Sequence, residues 1–96
     1  MITGKQRSYL KKIANNTESI FQIGKNGITE NFIKQVDEAL NAREIVKINI
    51  LKNSELDNQE IIEILTERLK AEFVQSIGRK ITIYRESKDK IIKLPN

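Results

Sequence analysis

Gly24-Lys25-Asn26-Gly27 carries the sharpest local chemistry in the chain. Two glycines three apart, with an asparagine between them, permit left-handed backbone and close approach of a second backbone. A helical pattern starts almost directly behind them, at Thr29. Unpaired N–H groups and the positive end of a helix dipole therefore stand beside the loop, and Lys25 adds a mobile cation. That chemistry suits a phosphate. An ordinary strand-to-helix turn uses the same residue types, so the loop alone leaves both readings open. It is neither a Walker A loop nor a dinucleotide fingerprint: no Ser or Thr follows Lys25, and GxGxxG is absent.

Basic residues are the second signal. Residues 1–17 hold Lys5, Arg7, Lys11 and Lys12 and no acid, and Arg79-Lys80 stands near the other end. A basic face on one short helix is more often solvated than functional. Among 96 residues there is no Cys and no His. Zinc sites of the usual ligands, disulfides, Cys nucleophiles and Ser-His-Asp triads are thereby excluded. Glu60, Glu63 and Glu67 share one helical face and read as solvated, since nothing in the sequence supplies the pocket that a catalytic carboxylate needs. The reading is non-enzymatic, with no cofactor and no metal. Aromatic residues are Tyr9, Phe21, Phe32, Phe73 and Tyr84. The exposed sheet pair that stacks bases in an RRM is missing, although Tyr84 at a strand end could stack one. No apolar run approaches the length of a signal segment or a membrane span, so a cytoplasmic location is expected.

The elements that must position these residues follow from period and punctuation. Thr3 and Gln6 form a capping box for a helix over about 4–15, with Tyr9, Leu10 and Ile13 on one side. Residues 19–23 read as a short strand. A helix from about Thr29 to Ala42 buries Phe32, Ile33, Val36, Ala39 and Leu40. In the strand 45–51, Val46, Ile48 and Ile50 alternate with Lys47 and Asn49. Asp57 and Glu60 form a second capping box, opening a helix that buries Ile61, Ile62, Leu65 and Leu69. Strands 73–77 and 80–84 are joined at Gly78-Arg79, which suits a type II′ hairpin. The residues after Arg85 form a charged tail, either an edge strand or loose. The order α-β-α-β-α-β-β predicts one α/β two-layer sandwich over residues 1–85, with a four-stranded mixed sheet and a tail over 86–96.

Right-handed crossovers make the first three strands run in one direction. The loops leaving them, Gly24–Gly27, Lys52-Asn53 and Gly78-Arg79, then share the carboxyl edge, where open α/β sheets bind ligands. The first helix is expected to run antiparallel to the strand it feeds, which returns Lys5 and Arg7 to that edge, so Lys5, Arg7, Lys25, Lys52, Arg79 and Lys80 converge there.

The segments TGKQRSYLKKIA, IFQIGKNGIT, IKQVDEAL and QSIGRKITIYR, in this order and spacing, resemble the CRM domain (chloroplast RNA splicing and ribosome maturation), closest to small bacterial YhbY-like proteins. The resemblance covers residues 2–85. It implies an RNA-binding domain folded like the C-terminal domain of translation initiation factor three. It also implies association with rRNA in precursors of the large ribosomal subunit. The family's GxxG loop corresponds to Gly24, Lys25, Asn26 and Gly27, and by the same match Lys5, Arg7, Lys11, Lys12, Arg79 and Lys80 are candidates for the RNA surface. A monomer is expected, with ribosomal proteins as possible neighbours. The alternative is a protein-interaction module that docks on a ribosomal protein or assembly factor through its acidic helices. Backbone contact with few stacking aromatics predicts recognition of RNA by shape more than by sequence.

Overall fold

The computed structural model describes residues 2–96, in the order α1 (Gly4–Asn15), β1 (Ser19–Ile23), α2 (Glu30–Arg43), β2 (Ile45–Ile50), α3 (Asn58–Leu69), β3 (Glu72–Ile77) and β4 (Lys80–Tyr84). Local chemistry sets the helix starts. Thr3 Oγ1 accepts from Gln6 N at 3.1 Å while Gln6 Oε1 accepts from Thr3 N at 2.9 Å. Asp57 and Glu60 exchange the same pair of bonds at 2.9 and 3.0 Å. Both predicted capping boxes are present, and each satisfies two donors the helix leaves unpaired. Thr29 caps α2 by accepting from Phe32 N at 3.0 Å.

The sheet order is β1-β2-β4-β3. β1 pairs parallel to β2, and β4 lies antiparallel between β2 and β3. β3 therefore runs in the direction of β1 and β2, and the carboxyl ends of all three share one edge, as predicted. Gly78 has φ +59° and Arg79 has no positive φ, which is the type II′ pattern.

Alternation along the strands divides two apolar clusters. Val46, Ile48 and Ile50 of β2, with Ile81, Ile83 and Ile23, meet Val36 and Leu40 of α2 and Ile61, Leu65 and Leu69 of α3. Ile45, Tyr84 and Val74, from the opposite face, meet Leu10 and Ala14 of α1. Each fully buried aliphatic side chain stabilises the fold by about 1.5–3 kcal/mol. The α/β class, the order and the mixed four-stranded sheet agree with expectation. To the expected two layers the fold adds a partial third, because α1 takes the face opposite α2 and α3.

The tail over 86–96 is neither an edge strand nor loose. Its Ile92 and Leu94 pack against the α1 cluster, and its backbone is held by one buried carboxylate. Glu44, fully buried, accepts from Ser87 N at 2.7 Å, Ser87 Oγ at 2.7 Å and Ile92 N at 2.6 Å. Gln6 Nε2 adds a bond to Pro95 O at 3.0 Å.

Candidate functional site

Gly24–Gly27 forms a β-turn closed by Gly27 N donating to Gly24 O at 3.0 Å. Lys25 and Asn26 keep negative φ while Gly27 takes φ +67°, matching a type I turn ended by glycine. The two glycines serve different ends. A Cβ on Gly24 would lie 3.1 Å from Asn53 Oδ1 and 3.2 Å from the Leu51 side chain, so glycine lets the β2–α3 loop close against this turn. Gly27 supplies the left-handed conformation that turns the chain into α2. Lys25 and Asn26 are exposed at the tip.

Behind the turn, the backbone N–H groups of Glu30 and Asn31 have no partner within α2. The carboxylate in this first turn is balanced: Arg68 Nη2 of α3 donates to both Glu30 oxygens at 2.8 and 3.0 Å. The hydrogen bond and the charge of Arg68 hold the Glu30 carboxyl below its ordinary range.

The other loops join this edge through direct bonds. Leu51 N donates to Ile23 O at 2.8 Å, and Ile50 N to Arg79 O at 2.6 Å. Asn58 Nδ2 at the start of α3 donates to Gly78 O at 2.9 Å and Ser76 Oγ at 3.1 Å, fixing the hairpin turn. Arg79 lines an open cleft of about 530 Å³ beside Glu55, Asp57 and Asn58. Lys25, Lys52, Arg79 and Lys80 are thus brought to one region. All four are exposed, and among the described residues none makes an ion pair.

Lys5 and Arg7 do not come to that edge, and this corrects the expectation. Arg7 Nε donates to Phe73 O at 3.0 Å, and Ile2 N to Glu72 Oε1 at 3.2 Å, so the start of α1 docks where β3 begins. Asn15, at the helix end, meets Gln75 further along β3. The helix advances with β3 instead of antiparallel to β1, and its first turn lies at the opposite edge from Gly24–Gly27. The reason is the face α1 occupies: its apolar side sits on Val74 and Tyr84, away from β1. Lys5 is exposed at that far edge, and Arg7 is half-buried with its Nε committed to the backbone. Lys11 and Lys12 are exposed along α1.

Because α1 covers only part of its sheet face, a polar area remains open. Gln22, Asn49 and Lys80 stand in one row across β1, β2 and β4, with Ser19, Lys47 and the fully buried Thr82 in the next. A cleft of about 440 Å³ is lined there by Asn15, Ser19, Gln22, Lys47, Asn49 and Lys80, with Thr17 and Glu18 at its helix end. Lys80 belongs both to this cleft and to the carboxyl edge. Lys47, Asn49 and Gln22 escape sequence reasoning as site residues; the signal available was the polar phase of β2. Tyr84, by contrast, is 2% exposed and cannot stack a base. Burial and the nearby Glu44 and Glu86 charges push its hydroxyl pKa up.

These features define a class: a single α/β unit whose parallel carboxyl edge is basic, turned by two glycines and continuous with an open polar sheet face. A family model for the CRS1 / YhbY (CRM) domain matches residues 2–85. The chain belongs to that family. It is 45% identical over 96 residues to the Bacillus subtilis "Probable RNA-binding protein YqeI", covering 99% of this chain and 100% of that one. It is 32% identical over 94 residues to a Haemophilus influenzae protein named "RNA-binding protein", covering 98% and 95%. The solution structure of the Staphylococcus aureus protein SAV1595 superposes with a TM-score of 0.82 at 52% identity, covering 99% of this chain and 100% of that one.

Proposed function

We propose that this protein binds RNA without catalysing a reaction, and that its RNA is ribosomal, in precursors of the large subunit. The carrying observation is the grouping of four exposed cations, Lys25, Lys52, Arg79 and Lys80, with no ion pair among the described residues, around a glycine turn that opens onto the start of α2. Family membership and the names of the relatives support RNA as the partner.

The turn brings backbone close to a phosphate, the free N–H groups of α2 receive it, and Lys25 adds charge. Arg79 and Lys80 take up neighbouring phosphates, and Lys11 and Lys12 extend the basic surface along α1. Arg7 contributes through the placement of α1, and Lys5 lies outside this footprint. The protein acts as a cytoplasmic monomer. No helix among the described residues is long and apolar enough to cross a membrane. Crosslinking in cells, with sequencing of the bound RNA, tests the ribosomal assignment. Reads concentrated in large-subunit rRNA and its precursors are expected; reads spread over messengers or absent from rRNA contradict it.

A further inference from the structure

We infer that the polar cleft on the open sheet face holds one unpaired nucleobase, next to the phosphate held by the glycine turn. This inference rests on the RNA-binding reading and adds to it a contact that senses bases.

Three observations carry it. The Gln22 and Asn49 carboxamides face the same side of the sheet in register, and neither side chain makes a hydrogen bond among the described residues. Asn15 offers a third carboxamide, whose oxygen accepts from Gln75 at 3.3 Å and whose NH₂ has no partner among the described residues. A carboxamide presents a donor and an acceptor side by side, the pattern found on the edges of bases, whereas a phosphate, which only accepts, uses its NH₂ alone. Ser19 Oγ, on the same wall, is buried with no partner among the described residues.

The charges also have a direction. Lys47 and Lys80 border the cleft on the β2 and β4 side, while Glu18 lines its α1 end. A phosphate is repelled from the Glu18 end and attracted to the lysines, which leaves the carboxamide wall to a neutral base. The volume, about 440 Å³, lies within the range of small-ligand clefts. Gln22 is two residues before Gly24, so the β1 wall of the cleft leads along about 7 Å of extended strand to the turn. With Tyr84 buried, hydrogen bonding and not aromatic stacking does the reading.

The test uses the full chain and RNA decamers of adenosine, cytidine or uridine, beside an abasic decamer with the same phosphates. Affinities are measured by fluorescence anisotropy. At least one base-bearing decamer should bind about fivefold or more tightly than the abasic one. Gln22→Ala and Asn49→Ala, each checked for folding by circular dichroism, should bring that ratio toward one while leaving abasic binding unchanged. Gln22 lies exposed on an edge strand, so its variant keeps the test open if Asn49→Ala misfolds. Lys25→Glu should weaken all decamers alike. Equal wild-type affinity for abasic and base-bearing RNA, or a ratio that survives the folded variants, overturns the cleft while leaving the RNA-binding reading intact. Failure of the wild type to bind any decamer while it binds rRNA fragments overturns the cleft alone; failure to bind rRNA fragments as well overturns both.

Discussion

Single residues decide whether the edge can be built. Gly27 occupies φ +67°, and an L side chain there meets left-handed strain of about 1–2 kcal/mol. Gly27→Ala should lower unfolding stability by about that amount in a urea titration, with little steric contribution, since only Leu56 approaches the new Cβ, at 3.8 Å. Glu44 is a second single-residue device. Burial alone would raise its carboxyl pKa, but bonds from Ile92 and from the backbone and hydroxyl of Ser87 outweigh it and hold the pKa below 4.5. A carboxyl depressed by folding contributes stability above its unfolded pKa and loses it as pH falls through the folded value. Wild-type stability should therefore decline in acid below about pH 4.5. Glu44→Gln should cost about 1–3 kcal/mol at neutral pH and flatten that acid decline; an unchanged acid limb would place the titration elsewhere. Little of this was legible in advance. A glutamate in ALNAREIV reads as solvated, because the N–H donors that make its burial tolerable come from Ser87 and Ile92, more than forty residues on.

At the scale of elements, period and punctuation were informative. Capping boxes at Thr3 and Asp57, alternation in β2 and the Gly78 turn placed the elements and their order. What period does not encode is the sheet face that a helix chooses. Tyr9, Leu10 and Ile13 mark one side of α1 as apolar but not what covers it: Leu10 is buried, Tyr9 is exposed, the antiparallel docking expected for α1 failed, and Lys5 and Arg7 moved to the far edge. The same gap hid the cleft: Lys47 and Asn49 are visible as a polar phase, whereas the open space above them depends on how far α1 reaches. Arg85, in the tail-proximal part of the family-like segment, joins elements. It donates to Asp37 Oδ1 at 2.8 Å, Leu69 O at 2.9 Å, Asp37 O at 3.0 Å and Asn41 Oδ1 at 2.9 Å, tying β4 to α2 and to the end of α3. Arg85→Met keeps volume and removes these bonds, and should cost about 2 kcal/mol in chemical denaturation without altering RNA affinity in the folded state. A loss of affinity at full folding would put Arg85 in the interface.

Over the whole molecule, the net charge of +4 is a difference between regions. Residues 1–27 carry +4, residues 28–78 carry −4, and residues 79–96 carry +4. The fold places Lys25, Arg79 and Lys80 at the carboxyl edge and sets the acidic outer sides of α2 and α3 on the face away from the open sheet. Reversing charge at Glu63 and Glu67, both exposed, should leave RNA affinity nearly unchanged apart from a mild long-range gain at low salt. A sharp loss on reversal would instead favour protein docking through the acidic helices. The central claim, phosphate contact at the glycine turn, is tested most directly by filter binding of rRNA fragments across a salt series for the wild type and Lys25→Glu. With three to five phosphates engaged, log K should fall against log salt with a slope of roughly −2 to −4. Lys25→Glu should weaken binding and flatten the slope by about one while its circular dichroism spectrum stays that of the wild type. Salt-insensitive binding, or a Lys25→Glu variant that binds like the wild type, would contradict the account.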